Sequence, residues 1–547
     1  MARPAWWSQS SNRPGQYQRV QVLNAQDFTG GLNLVADTFR LAENESPDMM
    51  NVDVDRRGGF QVRRGVAPYG SVSLGADPDN LWQFVSGASS YIVAQVGADL
   101  KSTTGGAWTT LVTSAGFSAG SATAVCRPTV FNNKNYVVRG DANALVFTGL
   151  STLAAMGVAF NNDFLSPTSG NVPRAKTIAS HNGYMWVANT FESGTQYPSR
   201  IRWSHPNSAE NWRSDDYIDI DIGKDGDQIT GLVPAGDHLL VFKRDSTYAI
   251  YGYDYNTFSV VTVSNTVGSV SQEACVNTPY GVTFFDHDLG LHVYGGKSGA
   301  KWVFSQIWPA MRDGDIPVSK IDNVQVGWVK GRLWVGVPWG DDPAKRSTTF
   351  VWDPQVKEGG TWSRYDLKTG PFLNGHMTGV FCAGMPGTTR VMALEQEEYG
   401  DDFGSGVLGI IDAWYRTRWF DAGQPSMKKR WRRMEAVMQT DLPYDLNVDV
   451  YINYDPTEPK KSFKLSTSSL GSEAADAVWD DSDWDSDLTA FAADGVHGSV
   501  DRGSGLGLAR SVSLKFGGKT AKQGTSSVPV FWGVDALVFK YIPRRIR

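Results

Sequence analysis

The sequence predicts an all-β protein built around a β-propeller, and two observations predict it. First, a short unit recurs: a turn, then a strand carrying an aromatic or large aliphatic residue. Its anchors are Tyr91, Tyr136, Tyr184, Leu239, Val282, Leu333 and Val391, spaced 45, 48, 55, 43, 51 and 58 residues apart. Second, each anchor is followed by another strand, as at Leu145-Val146-Phe147, Tyr248-Ala249-Ile250-Tyr251, Leu291-His292-Val293-Tyr294 and Phe350-Val351-Trp352. Apolar side chains there alternate with small or polar ones, the period of a half-buried strand. Repeats of roughly 40–50 residues made only of strands are the mark of propeller blades. Six to eight blades fit, with seven preferred.

Composition agrees. The 547 residues include 58 Gly, 25 Pro, 20 Trp, 20 Tyr and 25 Phe, a turn-rich and aromatic-rich balance that suits strands. A chain this long should divide into domains. We divide it into an N-terminal arm and hairpin (1–75), the propeller (76–412) and a C-terminal β-sandwich-like domain (413–547). The net charge of −6 argues against a protein that neutralises phosphates over its whole surface, but leaves room for a local basic patch.

Residues 1–27 are polar, without a clear period, and read as an extended arm. Trp6 and Trp7 would be its anchors on a neighbouring surface. No apolar run resembles a secretory signal or is long enough to cross a bilayer. Residues 28–65 contain Gly30-Gly31-Leu32-Asn33, Asn44-Glu45-Ser46, Asn51-Val52-Asp53-Val54 and Gly58-Gly59-Phe60-Gln61-Val62-Arg63-Arg64-Gly65. The glycine pairs permit sharp turns. Val52-Asp53-Val54 and Phe60-Gln61-Val62 read as a hairpin feeding the first blade. Further on, Ile201-Arg202-Trp203-Ser204 leads to Asn211-Trp212, then to Ile229-Thr230-Gly231-Leu232 and Leu239-Leu240-Val241-Phe242-Lys243. After about residue 412 the pattern changes to longer alternating strands, at 413–421, 446–452, 511–516 and 534–541. A Ser-, Asp- and Gly-rich stretch interrupts them at 466–507.

In the order and spacing of these motifs, residues 28–260 resemble the β-propeller tail proteins of bacteriophages, most closely the nozzle proteins of short-tailed phages. The resemblance implies a structural virion protein without enzymatic activity. It implies a homo-oligomeric ring, six subunits being the preferred number, around a DNA exit channel. The ring would lie beneath the head-to-tail connector or adaptor, with tail fibres among its candidate partners and phage DNA passing through. It would belong to the virion tail, be assembled in the host bacterial cytoplasm, and need no cofactor. The alternatives are a peripheral or distal tail propeller for receptor binding or fibre attachment, and a propeller glycosidase.

Few residues suggest chemistry. Gly116-Phe117-Ser118-Ala119-Gly120 matches a nucleophile-elbow pattern, but lacks the helix and partners that make Ser118 reactive. Asp286-His287-Asp288 with His292 has no metal-site spacing and reads as a polar turn. Asp476, Asp480, Asp481, Asp483, Asp485 and Asp487 lack the positions of a calcium loop. Cys126, Cys275 and Cys382 are isolated and read as buried apolar thiols. The candidates for an interface or a DNA-facing surface are Trp6, Trp7 and the basic run Lys428, Lys429, Arg430, Arg432 and Arg433. Strand alternation is expected to split that run between two faces.

Overall fold

The computed structural model describes residues 20–543 except 38, 71, 87–88, 113–123, 148–152, 156–172, 222–226, 297–298, 343–344, 374–381, 386, 441–443, 467–495, 503–505 and 519–528. Strands dominate it. Six antiparallel four-stranded sheets follow one another in sequence, beginning at Asn80–Ser86, Arg127–Phe131, Arg174–His181, Ile229–Ala235, Cys275–Thr278 and Gln325–Val329. A seventh sheet pairs Cys382–Met385 with Arg390–Ala393, and its third strand is Ala67–Pro68, from far earlier in the chain. These are the blades of a seven-bladed propeller. All seven sequence anchors fall on the second strand of a blade.

The repeat is legible because of the turn before each anchor. Asn182 and Gly183 both have positive φ (49° and 77°) and join the directly paired His181 and Tyr184. Lys330 and Gly331 do the same between Val329 and Arg332. Two-residue turns of this twist match the twist of the strands they connect. Successive blades then bury their facing side chains. Phe84 meets Phe147 between blades one and two, Trp186 and Trp203 pack with Leu239 between three and four, and Phe242 meets Phe284 between four and five. Val391 with Leu81 and Ile92 closes the ring from blade seven to blade one.

Two larger sheets form the sandwich. One orders its strands as Val496–Arg502, Lys429–Thr440, Trp532–Pro543, Phe60–Val62 and Val52–Val54, with Gln21–Ala25 also on Trp532–Pro543 and Gly507–Ala509 on Lys429–Thr440. The other runs Lys461–Ser466, Asp445–Ile452, Val512–Gly518, Ala413–Arg416, Asp48–Met50. Phe60 stacks on Tyr415 at 4.0 Å between ring centres, and Phe28, Phe516, Trp431 and Phe539 fill the space around them. This core is continuous with the packing between blades five and six, where Phe285, Phe304, Phe350 and Trp362 are buried.

The expected domain limits therefore change. The described strands within residues 20–75 belong to the sandwich and to blade seven rather than to a separate unit, apart from a short pair at Gly31–Leu32 and Glu45–Ser46. The predicted hairpin exists, with Val52 opposite Val62, but it extends the sandwich rather than the first blade. Within the expected arm, Gln21–Ala25 is already a strand of the same chain. Its apolar partners on Trp532–Pro543 supply the ladder that the arm's own sequence lacks.

The glycine- and asparagine-containing motifs of residues 30–65 build the joint between sandwich and propeller. Asn51 has φ of 55°; its amide donates to Asp366 (2.6 Å) and to the Asp412 carbonyl (2.7 Å). Arg63, 1 % exposed, donates to the Asn51 side chain (3.0 Å) and in a two-pronged pair to Asp401 (2.8 and 2.7 Å). Burial disfavours its charge, but Asp401 beside it more than offsets this and raises its pKa. Arg332 of blade six bonds Asp53 of the sandwich (2.8 Å) and Glu395 after blade seven. Gly65 has no room for a side chain: a Cβ there would sit 1.8 Å from the Gly400 carbonyl oxygen.

Candidate polyanion-binding cleft

The basic run enters the strand Lys429–Thr440, whose inward face carries Trp431, Met434, Ala436 and Met438. Lys429 faces inward too and is fully buried. Its ammonium donates to the carbonyls of Gln424 (2.6 Å), Met427 (3.0 Å) and Arg510 (3.1 Å). Burial pushes its pKa down, opposed by Asp421. Lys429 is thus a strut beneath the surface, and its place among the interface candidates is corrected. Lys428 is exposed.

The expected separation of Lys429 and Arg432 onto opposite faces holds, with Lys429 buried and Arg432 exposed, but it does not halve the patch. The strand register slips between Trp431 and Arg433: Trp431 lies opposite Tyr541, Arg433 opposite Lys540, and Arg432 has no counterpart. One extra residue in a strand is a β-bulge, which re-aims the side chains around it. Trp431 and Met434 both remain inward although three positions apart, while Arg430, Arg432 and Arg433 are all exposed. With Lys540, Val20, Trp431 and Gly507 they line a cleft of about 590 Å³.

Arg433 and Lys540 stand directly opposite each other across the ladder. Like charges in that position destabilise a sheet. Glu435 relieves part of the repulsion, accepting from Lys540 at 2.6 Å and lying 3.6 Å from Arg433. Among the described side chains, four cations and one carboxylate leave an excess of positive charge in a concave surface, on a chain whose net charge is −6. Planar guanidiniums carry fork-like donors that match phosphate or carboxylate oxygens.

Trp6, Trp7, Ser118 and the six aspartates between 476 and 487 lie outside the described residues. The Asp286 carboxylate accepts the backbone N–H groups of Asp288 and Leu289 (both 3.1 Å), so it shapes a tight turn. His292 is buried, and burial lowers its pKa. Cys126 and Cys275 are buried, and burial raises both thiols to about 12.

Sequence reasoning missed the feature at the propeller axis. Arg127, opening blade two, donates to Glu273, just before blade five, at 2.7 and 2.9 Å, and to the Lys176 carbonyl of blade three at 2.8 Å. Beside this pair lies an axial pocket of about 450 Å³, lined by residues of blades one, two, four, five, six and seven, among them Trp82, Gln325 and Phe372. An Arg and a Glu separated by 146 residues carry no local signal of pairing.

Fold and cleft together define a β-propeller joined to a β-sandwich that carries one basic cleft. No family model matches the chain, and no curated protein matches it. Solved structures similar to it include BamB from Moraxella catarrhalis (10% identity, 70% of this chain and 99% of that one, TM-score 0.32). Others are the extracellular domain of BT4673 from B. thetaiotaomicron (10%, 64% and 44%, TM-score 0.38) and BBS1N in complex with ARL6DN (10%, 61% and 95%, TM-score 0.35).

Proposed function

We propose that this chain is a structural, non-catalytic subunit of a phage tail, a nozzle protein that assembles as a ring around the path of exiting DNA. The observation that carries the reading is the joint. The motifs that resemble tail propellers, Gly30-Gly31-Leu32, Asn51 and Arg63 to Gly65, are the ones that lock the sandwich to blades six and seven. An interface this apolar, backed by the buried Arg63–Asp401 pair, holds two domains as one rigid body. Such a body suits a wall that must keep its shape against packaged DNA.

The Arg127–Glu273 pair adds a constraint. It spans the axis of a single propeller, so a DNA channel would lie between subunits and not through one. Partners in this reading are further copies of the chain, with six preferred, and the connector or adaptor protein above. Receptor binding at the tail periphery is the competing role. Imaging of the purified chain and of the intact particle tests the reading. A closed ring in isolation, placed under the connector in the particle, is the expected result. A monomer or trimer at the tail periphery would overturn it in favour of the receptor role.

A further inference from the structure

We propose that the bulged cleft of Arg430, Arg432, Arg433 and Lys540 binds the phosphodiester backbone of double-stranded DNA without regard to sequence. The proposal deepens the reading above by naming the surface that DNA meets. It rests on that reading for its place in the particle, but not for its chemistry.

Three features of the cleft converge. The bulge at Arg432 cancels the alternation that would send one of three arginines to the opposite face, so all three guanidiniums are exposed along one cleft. Bulges commonly re-aim side chains at functional places. Next, Arg433 and Lys540 oppose each other in register, an arrangement that destabilises a bare sheet and that a bound anion relieves. Sequences tend to break local rules of this kind at functional sites. Last, among the described lining residues the cations are the only side chains placed to bond DNA. Trp431 is 1 % exposed and cannot stack, and Val20 and Gly507 bring no hydrogen-bonding side chain. Arginine and lysine take hold of backbone phosphates, and with no stacking ring or amide beside them to fix a base edge the grip is expected to leave sequence unread.

A single phosphate would engage only part of the cleft, whereas consecutive phosphates along a strand can meet several cations at once. Releasing counterions from about four neutralised phosphates makes the affinity depend steeply on salt, with a logarithmic slope of roughly −3.6. Affinity should fall about a hundredfold between about 50 and 200 mM salt. Contacts that weak in salt would grip DNA and still let it slide.

Fluorescence anisotropy of the full chain with labelled duplexes of two unrelated sequences tests this. The wild type should bind both equally, with that slope. The variant Arg430→Ala/Arg432→Ala/Arg433→Ala alters only exposed side chains. It should keep or slightly raise the wild-type thermal midpoint, since the Arg433–Lys540 repulsion is gone, while its slope becomes shallower by roughly 2.7. A variant with Lys429 intact that binds duplex like the wild type overturns the proposal. So does an absence of binding by the wild type at about 50 mM salt, or binding of poly-aspartate more tightly than duplex of equal charge, which would assign the cleft to an acidic protein. Imaging of the same samples separates the two readings. Rings whose DNA binding ignores the arginines refute the cleft alone. Arginine-dependent binding by a chain that never forms rings refutes the nozzle alone.

Discussion

Arg127 of the second blade and Glu273 of the fifth meet across the propeller axis, three blades apart on a ring of seven, through hydrogen bonds of 2.7 and 2.9 Å. The pair ties together blades that share no sheet. Removing one partner strands the other charge in a largely buried place, which costs about 3 kcal/mol or more. Glu273→Gln should therefore lower the free energy of unfolding in urea by about that amount. The paired change Arg127→Met/Glu273→Leu should lose much less, because no charge is then left alone. Equal losses in both variants would remove the axial pair from the account of stability.

The same pair predicts a pH dependence. Burial raises the Glu273 pKa, but the Arg127 charge and hydrogen bonds outweigh it, so the folded value lies below the ordinary one. A carboxyl lowered in the folded state contributes stability that is complete above its unfolded pKa, about 4.3, and is lost as the pH falls through the folded value. The stability gap between wild type and Glu273→Gln should be constant from neutral pH to about 5 and shrink below about 4. Urea titrations across that range measure it.

Asp401→Ala should uncouple the two domains. It leaves Arg63, 1 % exposed, without its two-pronged partner, a loss of about 3–5 kcal/mol for a buried charge. We expect limited proteolysis to cut within residues 395–412 in the variant and not in the wild type. Arg63→Lys should behave similarly, since an ammonium cannot reproduce the paired geometry of a guanidinium.

Lys429→Met and the arginine variant should give opposite signatures. Lys429 satisfies three carbonyls from below the surface, and leaving buried acceptors unpaired costs about 1–3 kcal/mol. Thermal melting should show that loss for Lys429→Met, with duplex binding unchanged once the protein is folded. A wild-type melting curve for this variant would contradict the assigned role.

The thiols give a last test. Cys126 and Cys275 are buried, with their pKa raised to about 12, and reactivity requires the thiolate. Native protein treated with a maleimide at about pH 8 should leave both unlabelled, as peptide mapping would show. Both should label in denaturant.

What the sequence revealed followed the range of its signals. A turn of Asn182-Gly183 and the strand after it lie within a few residues, so the blades and their second strands were legible. Contacts that close the architecture run between distant residues: Val534 beside Phe60, Met392 beside Pro68, Glu273 beside Arg127. Nothing near residue 60 announces a partner near 534, so the hairpin was assigned to the nearest blade. Composition locates the basic run and alternation separates buried Lys429 from exposed Arg432, but the outward turn of Arg433 comes from a bulge set by the partner strand's register, which alternation alone does not contain.

The stitch formed by residues 21–68 has a consequence for how the chain is made. Those residues leave the ribosome well before their partners at 392–393, 414–416 and 533–541. Blades one to six can close in order while synthesis proceeds. The early strands must wait, with Phe28, Val52, Phe60 and Val62 uncovered, until synthesis has passed residue 541. Long-range pairing of this kind is slow and leaves sticky edges open meanwhile. The order of synthesis therefore works as a quality check: a chain cut short before residue 532 lacks the partners that bury its early strands, and keeps their apolar faces uncovered.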